Sequence, residues 1–318
     1  MPAPKVFVTR RVHQEAIDLL KEKCDVDIWD SDEVVPRNEL LKRVKGVAGI
    51  FCTISDNIDV EVLDAAGPSL KIVGTMSVGT QHISEFECRK RKIYVATTPD
   101  VAADSAAEFT VTLLLMVTRR CLEGEKAVKD GHWGKWKPMW ICGTEMLNRT
   151  LGIIGFGRVG FGVARRLKPF GLKRIIYHDV HKASMGDDLG AEFVSLDTVL
   201  RESDFVIVSC ALTGLTRHLI DGEALAKMKS SAILINTSRG PIVKTPDLVE
   251  ALKSGQIAGA GLDVTDPEPL PKDHPLVQMD NCVVTPHLGT NTTKARLAMA
   301  KNTALNITSL LFFNSPEM

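Results

Sequence analysis

Six residues, Gly155-Phe156-Gly157-Arg158-Val159-Gly160, stand between the apolar run Leu151-Gly-Ile-Ile and a stretch of amphipathic spacing. An apolar run that breaks into glycines and re-emerges with helical periodicity reads as strand, tight turn and helix. Such a unit implies a parallel sheet covered on both faces. The first glycine permits the turn, the second lets a pyrophosphate approach the backbone, and the third lets helix and strand pack closely. The helix N-terminus adds free amides and a dipole that favours negative charge. Asp179 closes the next predicted strand, 19 positions after Gly160, near the spacing expected of a carboxylate that takes a ribose 2′-hydroxyl. Together these residues read as a dinucleotide-binding turn.

The same carboxylate repels a 2′-phosphate and so favours NADH. If Asp179 instead caps a helix and points away, His181 and Lys182 lie just beyond to pair with that phosphate, and NADPH stays open.

The rest of the chain keeps the alternation. Strands are expected over 5–9, 26–29, 49–53, 72–76 and 93–97, with helices over 14–23, 37–44, 59–65 and 84–90 between them. Pro36 and Asp59 sit where two of these helices can begin. A single long helix is expected over 100–120, capped near Asp104 and closed by Arg119-Arg120. A tryptophan-rich loop follows, His132 to Trp140. The second alternation has strands over 151–155, 174–179, 192–194, 205–209, 232–237, 259–264 and 282–285, with helices over 159–167, 196–202, 222–228 and 246–254. A last helix is expected over 292–312.

With 318 residues, two domains are the natural division. Lys and Arg total 39 against 39 Asp and Glu, so no overall basic balance exists to hold a nucleic acid. The longest apolar run, around 113–117, is far short of a bilayer span, which argues against a membrane role. The seven cysteines are scattered without a CxxC pair, as expected of buried free thiols in a reducing compartment rather than of a metal site. The N-terminal residues lack a signal-peptide core and Ser315-Pro-Glu-Met318 carries no targeting tripeptide, so a cytoplasmic protein is expected.

Three predicted strands after residue 230 run out into residues that can do chemistry. The first leads to Arg239 and Gly240, the second to Asp263 and then Glu268 between two prolines, and the third to His287 and Gly289. Ligands of parallel α/β sheets gather beyond the carboxyl ends of the strands. An arginine there is an anion clamp, a carboxylate a tuning acid, and a histidine a proton carrier. Further upstream, Thr75-Met-Ser77-Val78-Gly79-Thr80 follows another strand and offers backbone N–H groups to a carboxylate. Trp133, Trp136 and Trp140 suit either core anchors or a dimer interface, where large aromatics are enriched.

The glycine turn, Asn236-Thr-Ser-Arg239-Gly240, Gly261-Leu-Asp263-Val264, Pro267-Glu268-Pro269-Leu270 and Thr285-Pro286-His287-Leu288-Gly289 together resemble the D-2-hydroxyacid dehydrogenase family, in order and over nearly the whole chain. Trp133-Gly-Lys-Trp136-Lys-Pro-Met-Trp140 and Arg165-Arg-Leu-Lys-Pro-Phe-Gly171 bring the likeness closest to members that reduce glyoxylate and hydroxypyruvate. The resemblance implies two doubly wound parallel-sheet α/β domains: a flavodoxin-like substrate domain (1–99 plus 288–318) and a Rossmann NAD(P)-binding domain (100–287).

It further implies NAD(P)H-dependent reduction of a small 2-keto acid to a 2-hydroxy acid. His287 is the general acid/base, Glu268 the group on its other ring nitrogen, and Arg239 the clamp on substrate carboxylate or keto oxygen. Asp263 accepts from the nicotinamide carboxamide. Gly155, Gly157, Arg158, Val159, Gly160, Asp179, Leu212, Thr237 and Gly289 complete the cofactor site. The amides of Val78 and Gly79 take the substrate carboxylate, although Gln81 stands where the family often has Asp. Trp136 is expected to shape the pocket of a second subunit in a homodimer, and Ser55-Asp56 to close a wall of the site. Another D-2-hydroxy acid, such as phosphoglycerate, and a non-catalytic NAD-sensing role are the alternatives on the same fold.

Overall fold

The computed structural model describes residues 2–312. The chain divides into two compact units, Met1–Ala102 together with Thr292–Met318, and Ala103–Asn291. Residues 315–318, read above for a targeting tripeptide, lie outside the described residues.

The first unit alternates β1 (Lys5–Val8), α1 (Gln14–Lys21), β2 (Asp25–Ile28), α2 (Arg37–Arg43), β3 (Gly49–Cys52), α3 (Val60–Ala66), β4 (Ile72–Thr75), α4 (Glu85–Lys90) and β5 (Tyr94–Ala96). Its sheet is parallel throughout, in the order β2-β1-β3-β4-β5, a flavodoxin-like winding. β3 and β4 are buried along their whole length, which is why they read as unbroken apolar runs rather than as alternation. Asp59 caps α3 by accepting from the Val62 amide at 3.2 Å, and Pro36 precedes α2.

The second unit opens with α5 (Ala103–Thr118) and α6 (Cys121–Lys129). It then alternates β6 (Thr150–Ile154), α7 (Arg158–Leu167), β7 (Arg174–His178), α8 (Met185–Leu189), β8 (Glu192–Phe193), α9 (Leu196–Glu202) and β9 (Phe205–Val208). α10 (Gly222–Lys227), β10 (Ile233–Asn236), α11 (Thr245–Lys253), β11 (Gly259–Leu262), α12 (Pro275–Gln278) and β12 (Cys282–Val284) complete it. The sheet order is β12-β11-β10-β9-β6-β7-β8, all parallel. The strand order reverses at β6, so the glycine turn after β6 lies at the topological switch point. Apolar clusters cover both faces of this sheet.

The final helix, α13 (Thr293–Phe312), belongs to the first unit, where it lies on β4. A Cβ at Gly74 would come within 2.8 Å of Ile307.

The helix expected over 100–120 spans Ala103–Thr118, and a separate helix that the sequence did not suggest, Cys121–Lys129, follows after Arg120 takes a left-handed φ of 50°. Two expectations are corrected. Asp104 lies inside the first turn of α5 and pairs with Arg165 and Arg166 at 3.1 and 2.9 Å. Of the cysteines, Cys121 and Cys142 are exposed and Cys210 half-buried; the other four are buried. No helix among the described residues is long and apolar enough to cross a membrane.

Candidate active site

The turn between β6 and α7 has the shape its glycines imply. Gly155 holds a φ of +91°, and a Cβ there would meet the Cys210 amide at 2.4 Å. A Cβ on Gly160 would come 2.4 Å from the Gly155 carbonyl, so helix and strand close on each other. At Gly157 the opposite holds: a Cβ would meet nothing within 4 Å, leaving open space over exposed backbone. No side chain caps α7, so its first-turn amides are left for an anion. Phe156 is buried against Tyr177, ring centroids 4.1 Å apart, which anchors the turn between its glycines. These features fit a dinucleotide's pyrophosphate.

Asp179 follows β7 and is fixed from two sides. Its Oδ2 accepts from the Phe156 amide and its Oδ1 from the Val180 amide, both at 2.7 Å. Lys182 is engaged by Asp187 at 2.9 Å. Leu212 is half-buried against the apolar cluster of its own unit. Thr110 donates to the Ala106 carbonyl at 2.7 Å, so the 2.7 Å contact between Thr110 and Thr237 is donated by Thr237.

Arg239, Glu268 and His287 follow β10, β11 and β12, three adjacent strands, and therefore share one edge of the sheet. Asn236, fully buried at the end of β10, shapes the arginine turn. Its Nδ2 donates to the Arg239 carbonyl at 2.9 Å and its Oδ1 accepts from the Ser238 amide at 3.1 Å. Ser238 in turn donates to the Cys210 carbonyl. Arg239 donates from Nη1 to the Ser238 carbonyl at 2.7 Å. Burial pulls the guanidinium below its ordinary value and the charge of Glu268 opposes this, so it stays protonated. A Cβ on the following Gly240 would fall 1.9 Å from the Thr265 carbonyl. Only glycine lets the loop that carries Glu268 cross the arginine turn this closely.

Glu268 Oε1 lies 2.6 Å from His287 Nδ1, and its Oε2 accepts from the Thr265 amide at 3.2 Å. Burial raises the glutamate, but the hydrogen bond and charge of His287, the Thr265 amide and Arg239 outweigh it and hold the carboxyl below its usual range. An ionised carboxylate only accepts, so His287 carries a proton on Nδ1 and presents Nε2 outward.

His287 itself has a left-handed φ of 56°. Its amide donates to the carbonyls of Asp263 and Thr285, both at 3.0 Å. Asp263, 1% exposed, binds that turn further. Oδ1 accepts from Thr285 Oγ1 and the Leu288 amide, and Oδ2 from the Gly289 amide, each at 2.7 Å. The Gly289 carbonyl accepts from Ser105 at 3.0 Å. Asp263 is thus the hub of the histidine turn. Its partners are mostly amides, which leave no mark in the sequence; the roles of Asn236, Thr265 and Thr285 are hidden for the same reason. The available signal was a polar residue closing an apolar strand.

Val78 and Gly79 belong to the first unit, just past β4, with the Val78 side chain exposed. Asp56, expected in a wall of the site, is 2% exposed and accepts from Thr9 Oγ1 and the Thr53 amide at 2.6 and 2.7 Å. It is an internal brace. Trp136 is 85% exposed and Trp133 69%, so neither anchors the core of its own chain. α6 buries no residue at all.

A doubly wound sheet with a pyrophosphate turn at its switch point, and an arginine and a glutamate–histidine pair on adjacent strand ends, defines a nicotinamide-dependent dehydrogenase. Residues 111–289 match the family model described as D-isomer specific 2-hydroxyacid dehydrogenase, NAD binding domain, and the chain belongs to that family. The chain is 47% identical to the human glyoxylate reductase/hydroxypyruvate reductase over 306 residues, 95% of this chain and 93% of the relative. A crystal structure of a Thermus thermophilus protein superposes with a TM-score of 0.91 at 41% identity, covering 98% of each chain. The NADPH-dependent glyoxylate/hydroxypyruvate reductase of Sinorhizobium meliloti, solved with NADP and malonate, gives 0.85 at 27% identity over 100% of this chain and 96% of its own. The cofactor of this enzyme is accordingly NAD or NADP.

Proposed function

We propose that this chain reduces glyoxylate to glycolate and hydroxypyruvate to D-glycerate. The observation that carries the reading is the 2.6 Å contact between Glu268 and His287 Nδ1, on the strand end beside the buried Arg239. With Nδ1 engaged, protonated His287 gives the Nε2 proton to the alkoxide that forms at the substrate's second carbon. Glu268 holds the ring's orientation and engages its Nδ1 proton. Arg239, whose remaining donors meet no protein acceptor among the described residues, takes the carboxylate or keto oxygen of the substrate. Val78 and Gly79 supply amides to the carboxylate. Residues 103–291 hold the dinucleotide.

The dinucleotide supplies the hydride when bound. Gly155, Gly157, Arg158, Val159 and Gly160 cradle its pyrophosphate, and Leu212, Thr237, Asp263 and Gly289 surround the rest. Asp179 takes the ribose hydroxyl. Two amides hold its carboxylate in place, so it cannot swing aside for a 2′-phosphate, and NADH is the preferred donor. The exposed Trp133, Trp136 and helix α6 support a homodimer in which Trp136 reaches the partner's substrate. The exposed, unpaired Cys121 and Cys142 support a cytoplasmic setting.

Glyoxylate, hydroxypyruvate, pyruvate and phosphohydroxypyruvate, each assayed with NADH and NADPH by absorbance, test the reading. The two favoured acids with NADH should give the highest kcat/KM. Turnover only with phosphohydroxypyruvate, or none beside tight NADH binding, would overturn it.

A further inference from the structure

In the first unit the last residue of β4 and those just past it form a short network with a fixed direction. His82 Nε2 lies 2.9 Å from Thr75 Oγ1, and Thr75 Oγ1 lies 2.8 Å from Ser77 Oγ. Ser77 donates to the Gly79 carbonyl at 2.7 Å. A carbonyl only accepts, so the single Ser77 proton is committed to Gly79. The Thr75 proton must then go to Ser77, and His82 must donate to Thr75 from a protonated Nε2. Thr75 is fully buried and Ser77 4% exposed, so water does not compete for these bonds. The neighbouring Cys52 is also buried; burial keeps its thiol protonated, so it can donate to Thr75 without reversing the chain.

The backbone around this network is turned one way. The carbonyl of Ser77 accepts from the Thr98 amide at 2.9 Å, that of Thr80 from the Ile83 amide at 2.8 Å, and that of Gly79 from the Ser77 hydroxyl. The amides of residues 77–80 donate to no protein acceptor among the described residues. Carbonyls fastened inward and amides left outward make a concave anion site.

We propose that Ser77 is a positioning residue for substrate binding: the ordered chain from His82 through Thr75 and Ser77 to the Gly79 carbonyl holds the Val78 and Gly79 amides toward the substrate's carboxylate. The inference rests on the reading of those amides as the carboxylate site. None of the three side chains touches substrate, so removing a link loosens binding and leaves the chemical step alone.

The test uses the cofactor-loaded enzyme and oxamate, an unreactive 2-keto acid analogue, titrated calorimetrically, alongside glyoxylate kinetics. Ser77→Ala should weaken oxamate and raise the glyoxylate KM about tenfold, the scale of one hydrogen bond to a charged group. kcat should stay within about twofold and NADH affinity should not change. Thr75→Val, nearly isosteric, should act in the same direction. His82→Gln, which keeps an amide near the Nε2 position, should restore most of what His82→Ala loses. Nitrogen-15 NMR should find the neutral His82 ring protonated on Nε2.

If Ser77→Ala and Thr75→Val both bind oxamate as the unmodified enzyme does, or if kcat falls while KM holds, the inference fails. A neutral His82 protonated on Nδ1 refutes it as well. An unmodified enzyme that neither binds oxamate nor reduces glyoxylate sinks the carboxylate reading itself, a result distinct from the others.

Discussion

The two sheets of this molecule present the same architectural feature, a row of strand ends, and equip it in opposite ways. Beyond β10, β11 and β12 the groups proposed to do the chemistry are side chains: Arg239, Glu268 and His287, each on its own strand end. Beyond β4 the outward-facing groups are backbone amides, and side chains stay behind to hold them. Side chains can carry protons and net charge, whereas amides carry only fixed partial charges and are indifferent to which residue supplies them. The difference predicts where substitutions act on the rate of the chemical step and where they act on affinity alone.

The largest effect falls on the side-chain edge. His287→Gln keeps the size and a hydrogen-bonding end but cannot donate a proton at neutral pH, and kcat should drop about a thousandfold in a stopped-flow or steady-state assay. Cofactor titration by fluorescence should give an unchanged dissociation constant. A variant within tenfold of the parent would mean that the proton comes from elsewhere.

Glu268→Gln should cost less, about ten- to a hundredfold in kcat, because it alters the histidine rather than removing it. A stability signature accompanies it. The folded carboxyl lies below its unfolded value, so its contribution is present above the ordinary glutamate range and disappears as pH falls through the lowered value. Urea midpoints of parent and Glu268→Gln should therefore converge as the pH is taken down through that window.

The smallest effect falls on the amide edge. In the proposed carboxylate site Val78 contributes only its N–H, and its side chain is exposed, so Val78→Ala should change KM and kcat by less than about twofold. A large loss there would break the contrast between the two edges.

How far the sequence discloses this contrast depends on what holds each element. Strands such as β3, β6 and β10 are continuous apolar runs because both faces are covered, and they are legible at once. α6 is not, because Cys121–Lys129 buries nothing and starts from a left-handed arginine that propensity does not anticipate. α8 and α12 span five and four residues, too short for a period to show. The positions of Arg239, Glu268 and His287 are legible as polar residues at the ends of buried strands. The structural use of Asp263 is not: the motif points to a ligand partner, and the fold adds three donors to its carboxylate from the histidine turn. Hydroxyls such as Ser77 are silent for a similar reason, since their direction follows only from knowing which carbonyl ends the chain.

α13 is made after the whole of the second unit, yet it belongs to the first, where Ile307 packs against Gly74 and Thr303 reaches the Thr75 carbonyl at 3.4 Å. On the ribosome, residues 103–291 emerge entire and can fold as they appear, while the earlier-made unit must wait for its closing helix. A nascent chain halted before residue 292 would carry a finished dinucleotide unit and a first sheet with one apolar face covered only by α1, which leaves apolar surface exposed to chaperones and to aggregation.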